Sequence, residues 1–116
     1  MPDPATFLAW AAGDRLVLVA ADAGDRPLAY GDLEPDGHID RLYCHPDVAG
    51  TGVTVSLYAE LEAAARGRGI ARLTVEASEP ARRFFLKRGF EVTARNDFEL
   101  AGVAIHNWRM EKALEK

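Results

Sequence analysis

The hydrophobic period of this chain changes at Gly52, and that change limits its possible folds more than any other feature. Before it, "RLVLVAADAGDRPLAYGDLEPDGHIDRLYC" reads as three strands, because β-branched and aromatic runs are punctuated by the turn formers of "DAGDRP" and "EPDG". The third strand, about His38 to Cys44, runs into Pro46, which cannot continue a ladder. After Gly52 the period becomes helical. Val53, Leu57, Leu61 and Ala65 recur at every fourth position with Tyr58 and Ala64 beside them, while Glu60, Glu62 and Arg66 fall outside that stripe. "GRG" (Gly67 to Gly69) ends the helix, and "IARLTVEA" returns to strand character. A strand, loop, helix and strand in succession predict a parallel pair joined by a right-handed crossover, with ligands at the carboxyl ends of the strands.

The rest of the chain extends this unit. "IARLTVEA" reads as a strand buried on both faces, as a central strand would be. Ser78 is a candidate N-cap, Pro80 fits a first turn and Gly89 is a candidate left-handed terminator, so residues 79–88 are expected to form a short helix. "FEVTARNDFEL" and "VAIHNWRMEKAL", separated by Ala101 and Gly102, predict a hairpin. The expected class is α/β, a mixed sheet in the order β-β-β-α-β-α-β-β. With 116 residues, 48% of them hydrophobic, the chain suits one domain spanning 1–116 around one modest core.

Charge and cysteine content remove several function classes. A net charge of −4 gives no field that would draw in nucleic acid or an anionic membrane. The single cysteine, Cys44, allows neither an internal disulfide nor a thiolate zinc cluster. His45 and His106 are too far apart for a local metal motif, so no metal is expected and both histidines are read as structural or surface residues. The start "MPDPATFLAW" lacks a signal-peptide pattern, and nothing later approaches the roughly 20 apolar residues of a membrane span. These features lead to the expectation of a soluble, cytoplasmic protein.

Three stretches together carry a family likeness: "IDRLYCHPDVAGTGVTVSLY", "LTVEASEPARRFFLKRGFEV" and "GVAIHNWRMEKAL". The spacing of Ala81, Phe84, Phe85, Gly89 and Phe90, at its distance from the glycine loop, makes the likeness specific. Over nearly its whole length the chain resembles the GCN5-related N-acetyltransferase family, which transfers acyl groups from acyl-coenzyme A to amines. The resemblance implies that backbone N–H groups of Ala49, Gly50, Thr51, Gly52, Val53 and Thr54 face the coenzyme A pyrophosphate, where a helix N-terminus also favours negative charge. It further implies that the preceding strand splays from its parallel neighbour, so that backbone groups of Leu42, Tyr43 and Cys44 pair with the pantetheine arm. The N–H of Tyr43 or Cys44 would then polarise the thioester carbonyl.

This sequence also departs from the family pattern. The pattern is Gln or Arg, two residues, Gly, one residue, then Gly or Ala; here those fixed positions hold Ala49, Gly52 and Thr54. Thr51 stands where relatives commonly carry Arg or Lys, and each lost charge-assisted contact is worth roughly 1.5–3 kcal/mol. Phe85 occupies the place of the Tyr that protonates the leaving thiolate in many members, and its ring is expected in the core with an edge toward the thioester. The family's first strand and helical pair are represented only by "PATFLAWAAG".

Several residues carry two readings. The glycine loop is either a phosphate cradle or a turn that binds nothing. Glu76 is a general base acting through water if burial raises its pKa, or an exposed carboxylate at a strand end. Ser78 stands where relatives carry an Asn that contacts coenzyme A, and is also a sufficient N-cap. Cys44 reads as a small buried hydrophobe rather than a nucleophile. The expected function is transfer of an acetyl group from acetyl-CoA, as co-substrate, to an amine of a small molecule or protein. The alternative is a weakly active or inactive acyl-CoA-binding or interaction module of the same fold. A homodimer is expected in either case, because uncovered apolar surface is costly for a domain this small.

Overall fold

The computed structural model describes residues 6–22, 24, 26–46 and 52–114, with side chains described from Gly13 onward. The chain divides into two compact units, Met1–Ile70 and Ala71–Lys116. Together they hold the expected α/β order with one strand added in front.

The first unit is an antiparallel four-stranded sheet, β1 (Thr6–Ala12), β2 (Arg15–Ala21), β3 (Pro27–Leu33) and β4 (Ile39–Cys44), ordered as in sequence, with helix α1 (Val53–Gly67). "PATFLAWAAG" thus contributes a full seven-residue strand, where the sequence suggested only a remnant. The tight turn at Gly13, with φ 65°, returns β1 onto β2 in an unbroken register from Thr6 opposite Ala21 to Ala12 opposite Arg15. Strand alternation buries Leu16, Leu18, Ala20, Ala29 and Leu33, and α1 buries Leu57, Tyr58, Leu61 and Ala65. The predicted helical stripe is therefore the buried face. Gly31 is required where α1 crosses β3, because a Cβ there would lie 2.8 Å from a Leu61 methyl and 2.9 Å from a Leu42 methyl.

The β3–β4 pairing contains one irregularity. Arg41 lies opposite Asp32, but the next pair is Ile39 with Leu33, so Asp40 is an extra residue on β4. Such a bulge bends its strand and interrupts the ladder locally.

The second unit is a three-stranded antiparallel sheet in the order β5 (Arg72–Ala77), β7 (Val103–Ala113), β6 (Glu91–Leu100), with helix α2 (Glu79–Lys87). The expected helix over 79–88 and the expected hairpin are both present. Ala101 and Gly102 take φ 53° and 81°, the left-handed pair that a two-residue hairpin turn demands. One expectation is corrected. β5 is an end strand of its sheet and alternates, burying Leu73, Val75 and Ala77 while Arg72 and Glu76 are exposed, so it is not buried on both faces. Its chain neighbours Ile70 and Ala71 supply apolar character to the sequence without forming part of the strand. β5 and β4 likewise belong to different sheets and share no ladder among the described residues.

Phe85, Phe90, Met110 and Leu114 complete the core of this unit. Phe85 meets Phe84 and Phe90 edge to face at 5.2 and 4.9 Å. Beyond α2, Gly89 takes φ 97°, the Phe90 N–H returns to the Phe85 carbonyl at 3.1 Å, and Lys112 Nζ donates to the Arg88 carbonyl at 2.7 Å. These donors serve carbonyls that a helix end would otherwise leave open.

Candidate functional site

In the first unit, β4 pairs with β3 along one edge and ends its sheet on the other. In an antiparallel ladder the N–H and C=O of one residue point to the same side, and the side alternates along the strand. The His45 N–H donates to the Leu28 carbonyl at 2.7 Å, which turns His45 toward β3. By alternation Tyr43, opposite Tyr30, also turns toward β3, while Leu42 and Cys44 present N–H and C=O to the open edge. Of the two residues expected as carbonyl-polarising donors, Tyr43 therefore has its amide committed inward and Cys44 faces outward. The Tyr43 side chain is exposed and tilted against the Tyr30 ring at 5.4 Å. Cys44 is half-buried rather than buried, with Sγ 3.5 Å from the His45 carbonyl oxygen.

Helix α1 begins at Gly52, whose φ of 91° and ψ of 0° are left-handed. Among the described residues no side chain caps this end, and no acidic residue stands in its first turn. The Ser56 N–H makes a bond to the Gly52 carbonyl at 3.0 Å, so the preceding N–H groups are the usual orphans of a helix start. Val53 and Thr54 are half-buried. Ala49, Gly50 and Thr51 lie outside the described residues.

The second unit holds the remaining candidates. Ser78 Oγ accepts from the Ala81 N–H at 3.4 Å, the capping role. Phe85 is 2% exposed, enclosed as a core aromatic. Glu76 is exposed and lies 3.3 Å from Arg109 Nη1, opposite it across the β5–β7 ladder. The burial that a general-base role required is absent.

Two charged clusters were not foreseen from the sequence. In the first unit Asp32 is the one buried charged side chain among the described residues, 3% exposed. Its Oδ1 accepts from the Arg41 N–H at 2.8 Å and its Oδ2 from Arg15 Nη1 at 3.0 Å. Arg15 also reaches Asp40 at 2.9 Å and Glu34 at 3.0 Å, and Glu34 meets His38 Nδ1 at 2.6 Å. These contacts raise the pKa of Arg15, through Asp40 foremost, and lower that of Asp40, through Arg15. The signal was an acid inside the apolar run "LAYGDL".

In the second unit Glu79 accepts from Trp108 Nε1 at 2.8 Å, from Arg82 at 2.9 and 3.1 Å, and meets His106 Nε2 at 3.2 Å. The Trp108 hydrogen bond, followed by those of Arg82 and His106, lowers the Glu79 pKa to about 2. The guanidinium groups of Arg82 and Arg95 lie 5.0 and 5.5 Å from the Trp108 ring centroid. His106 and Trp108, two apart on a strand, had to share one face, and that alternation was the available signal. Among the described residues no group of three or more His, Cys, Asp or Glu is arranged to hold a metal, and no helix is long and apolar enough to cross a membrane.

Comparison with known proteins places this geometry. The family described as acetyltransferase (GNAT) domain matches residues 7–112. A GCN5-related N-acetyltransferase from Rhodopseudomonas palustris is 42% identical over 86% of this chain, with TM-score 0.77, and this chain spans only 62% of its length. A GNAT family acetyltransferase from Elizabethkingia anophelis with acetyl-CoA bound shares the fold at TM-score 0.78 and 11% identity, over 97% of this chain and 100% of that one. A phosphinothricin acetyltransferase from Sinorhizobium meliloti in complex with AcCoA does so at TM-score 0.75 and 17% identity, over 86% and 61%. No functionally curated protein matches the sequence.

Proposed function

Because this chain belongs to the GNAT acetyltransferase family, we propose that it binds acetyl-CoA along the open edge of β4 and transfers the acetyl group to an amine of a small molecule or protein. The observation that carries this reading is the direction of the Leu42 and Cys44 backbone groups, on an edge that carries no strand partner among the described residues and suits an amide-bearing arm. The start of α1, free of acidic residues in its first turn and without a side-chain cap among the described residues, supports a diphosphate at Gly52 to Thr54. Ala49, Gly50 and Thr51 belong to the same proposed cradle by sequence.

In the proposed reaction the amine nitrogen attacks the thioester carbonyl carbon while the Cys44 N–H donates to its oxygen. The carbon–sulfur bond then breaks, the amine gives up one proton and the thiolate takes one. Phe85 has no proton to give, so water protonates the sulfur. Glu76, exposed and beside Arg109, accepts the amine's proton only through bulk-accessible water, a weak contribution. Ser78 acts by starting α2 rather than by touching coenzyme A.

A second reading, a binding module with little turnover, is favoured by Phe85 and by the missing cations at Ala49 and Thr51. Self-association fits both, since Phe98, Leu100 and Val103 are exposed on the β6–β7 hairpin. Calorimetric titration with acetyl-CoA and with coenzyme A, followed by turnover across an amine panel, decides. Saturable binding with turnover is the expected result, binding alone selects the module, and no binding to either ligand removes both.

A further inference from the structure

β4 presents Leu42 and Cys44 to its outer edge through a shift in register, whose functional role rests on the reading of that edge as the donor site. At the turn end of the β3–β4 hairpin the Glu34 N–H donates to the His38 carbonyl at 2.9 Å, which makes Glu34 and His38 a hydrogen-bonded pair. Continued regularly from there, the ladder would pair Asp32 with Asp40, Tyr30 with Leu42 and Leu28 with Cys44. Leu42 and Cys44 would then face β3, and Tyr43 would face the open edge. The observed pairs at the far end, Tyr30 with Tyr43 and Leu28 with His45, are displaced by one residue. Holding Asp40 out of the ladder therefore decides which amides reach the edge.

The structure assigns that task to Asp32, a positioning residue acting with Arg15. Asp32 Oδ1 takes the Arg41 N–H at 2.8 Å, fixing the residue that follows the bulge. Asp32 Oδ2 holds Arg15 Nη1 at 3.0 Å, and the same nitrogen holds the bulged Asp40 at 2.9 Å. One guanidinium thus grips the bulge from β3 and from β4, and Glu34 at the neighbouring turn fixes its other nitrogen at 3.0 Å. Burial of Asp32 gives the grip its strength, because an anion out of water cannot exchange these donors for solvent. A regular register would leave Asp32 buried without the Arg41 amide, so slippage is opposed.

The test is amide hydrogen exchange by NMR on the full chain, beside calorimetric titration with coenzyme A, for wild type, Asp32→Ala, Asp32→Asn and Asp40→Ala. In wild type the Tyr43 amide is expected to be protected and the Leu42 and Cys44 amides to exchange fast. Asp32→Ala should lower Tyr43 protection by about tenfold or more and leave Met110 of β7 unchanged, which reports that the second unit is intact. It should also weaken coenzyme A binding by about tenfold. Asp32→Asn keeps an oxygen for Arg41 and should recover part of both losses. Asp40→Ala, at an exposed position, should reproduce a smaller loss without threatening the fold. Unchanged Tyr43 protection in Asp32→Ala and Asp40→Ala overturns the inference. If wild type fails to bind coenzyme A while Tyr43 protection still falls in the variants, the clamp stands and the acetyl-CoA reading falls.

Discussion

The two units organise charge in opposite ways. In the first, Arg15 sits among three carboxylates, two of which Arg41 also approaches, and one of these, Asp32, is buried. In the second, one carboxylate, Glu79, gathers a tryptophan, an arginine and a histidine at the surface. The contacts are similar in length, yet their worth differs. A buried anion holds its donors against a desolvation penalty, so removing it strands them, whereas exposed partners turn to water and are screened by salt. The first cluster therefore serves to fix a backbone register and the second to join a helix start to a strand face.

The largest expected effect tests that difference directly. Asp32→Ala should destabilise by about 1–3 kcal/mol, chiefly through the Arg41 N–H left unpaired at the bulge. In urea unfolding this loss should persist in high salt. Glu79→Gln should cost less, and its effect on Tm should fade as sodium chloride rises to about 1 M, where the Debye length shrinks to about 3 Å. Equal, salt-insensitive losses would break the contrast.

Acid sharpens it further. Glu79 has a folded pKa of about 2 against an ordinary value of 4.5, a depressed carboxylate. Its contribution is therefore complete above pH 4.5 and is lost as pH falls from there toward 2. Asp40, lowered by Arg15, acts in the same direction. Glu79→Gln should flatten the decline of Tm with falling pH in that window, and an unchanged slope would show that the surface cluster contributes nothing. The smallest effect concerns the hairpin turn of the second unit. Ala101→Gly relieves a left-handed alanine and should stabilise by roughly 0.5 kcal/mol, read as a rise in Tm.

The sequence disclosed what depends on period and punctuation. The α1 stripe, the Ser78 cap, the Ala101–Gly102 turn and the strand ending before Pro46 are each local, and each is present. β1 is faint in the sequence because "TFLAWAA" follows "PDPA" and mixes alanines with bulky residues, and its strand character comes from pairing with β2. β5 looks like a central strand in the sequence because its apolar run includes Ile70 and Ala71, which precede the strand. The Asp32 and Glu79 clusters join residues 17 and 29 positions apart, and no local pattern encodes such a meeting. Nor did the sequence separate Tyr43 from Cys44 as a donor, since the distinction rests on one bulged residue, Asp40.

Strand β6 ends its sheet, and all ten of its residues are exposed. Such an edge is a template on which other chains assemble, and proteins guard it with charge. Here the guards are Glu91, Arg95, Asp97 and Glu99, three acids and one base. Beside them Val92, Phe98 and Leu100 are exposed on the same strand. The resistance of the protein to edge-to-edge association thus rests on the side chains of one hairpin.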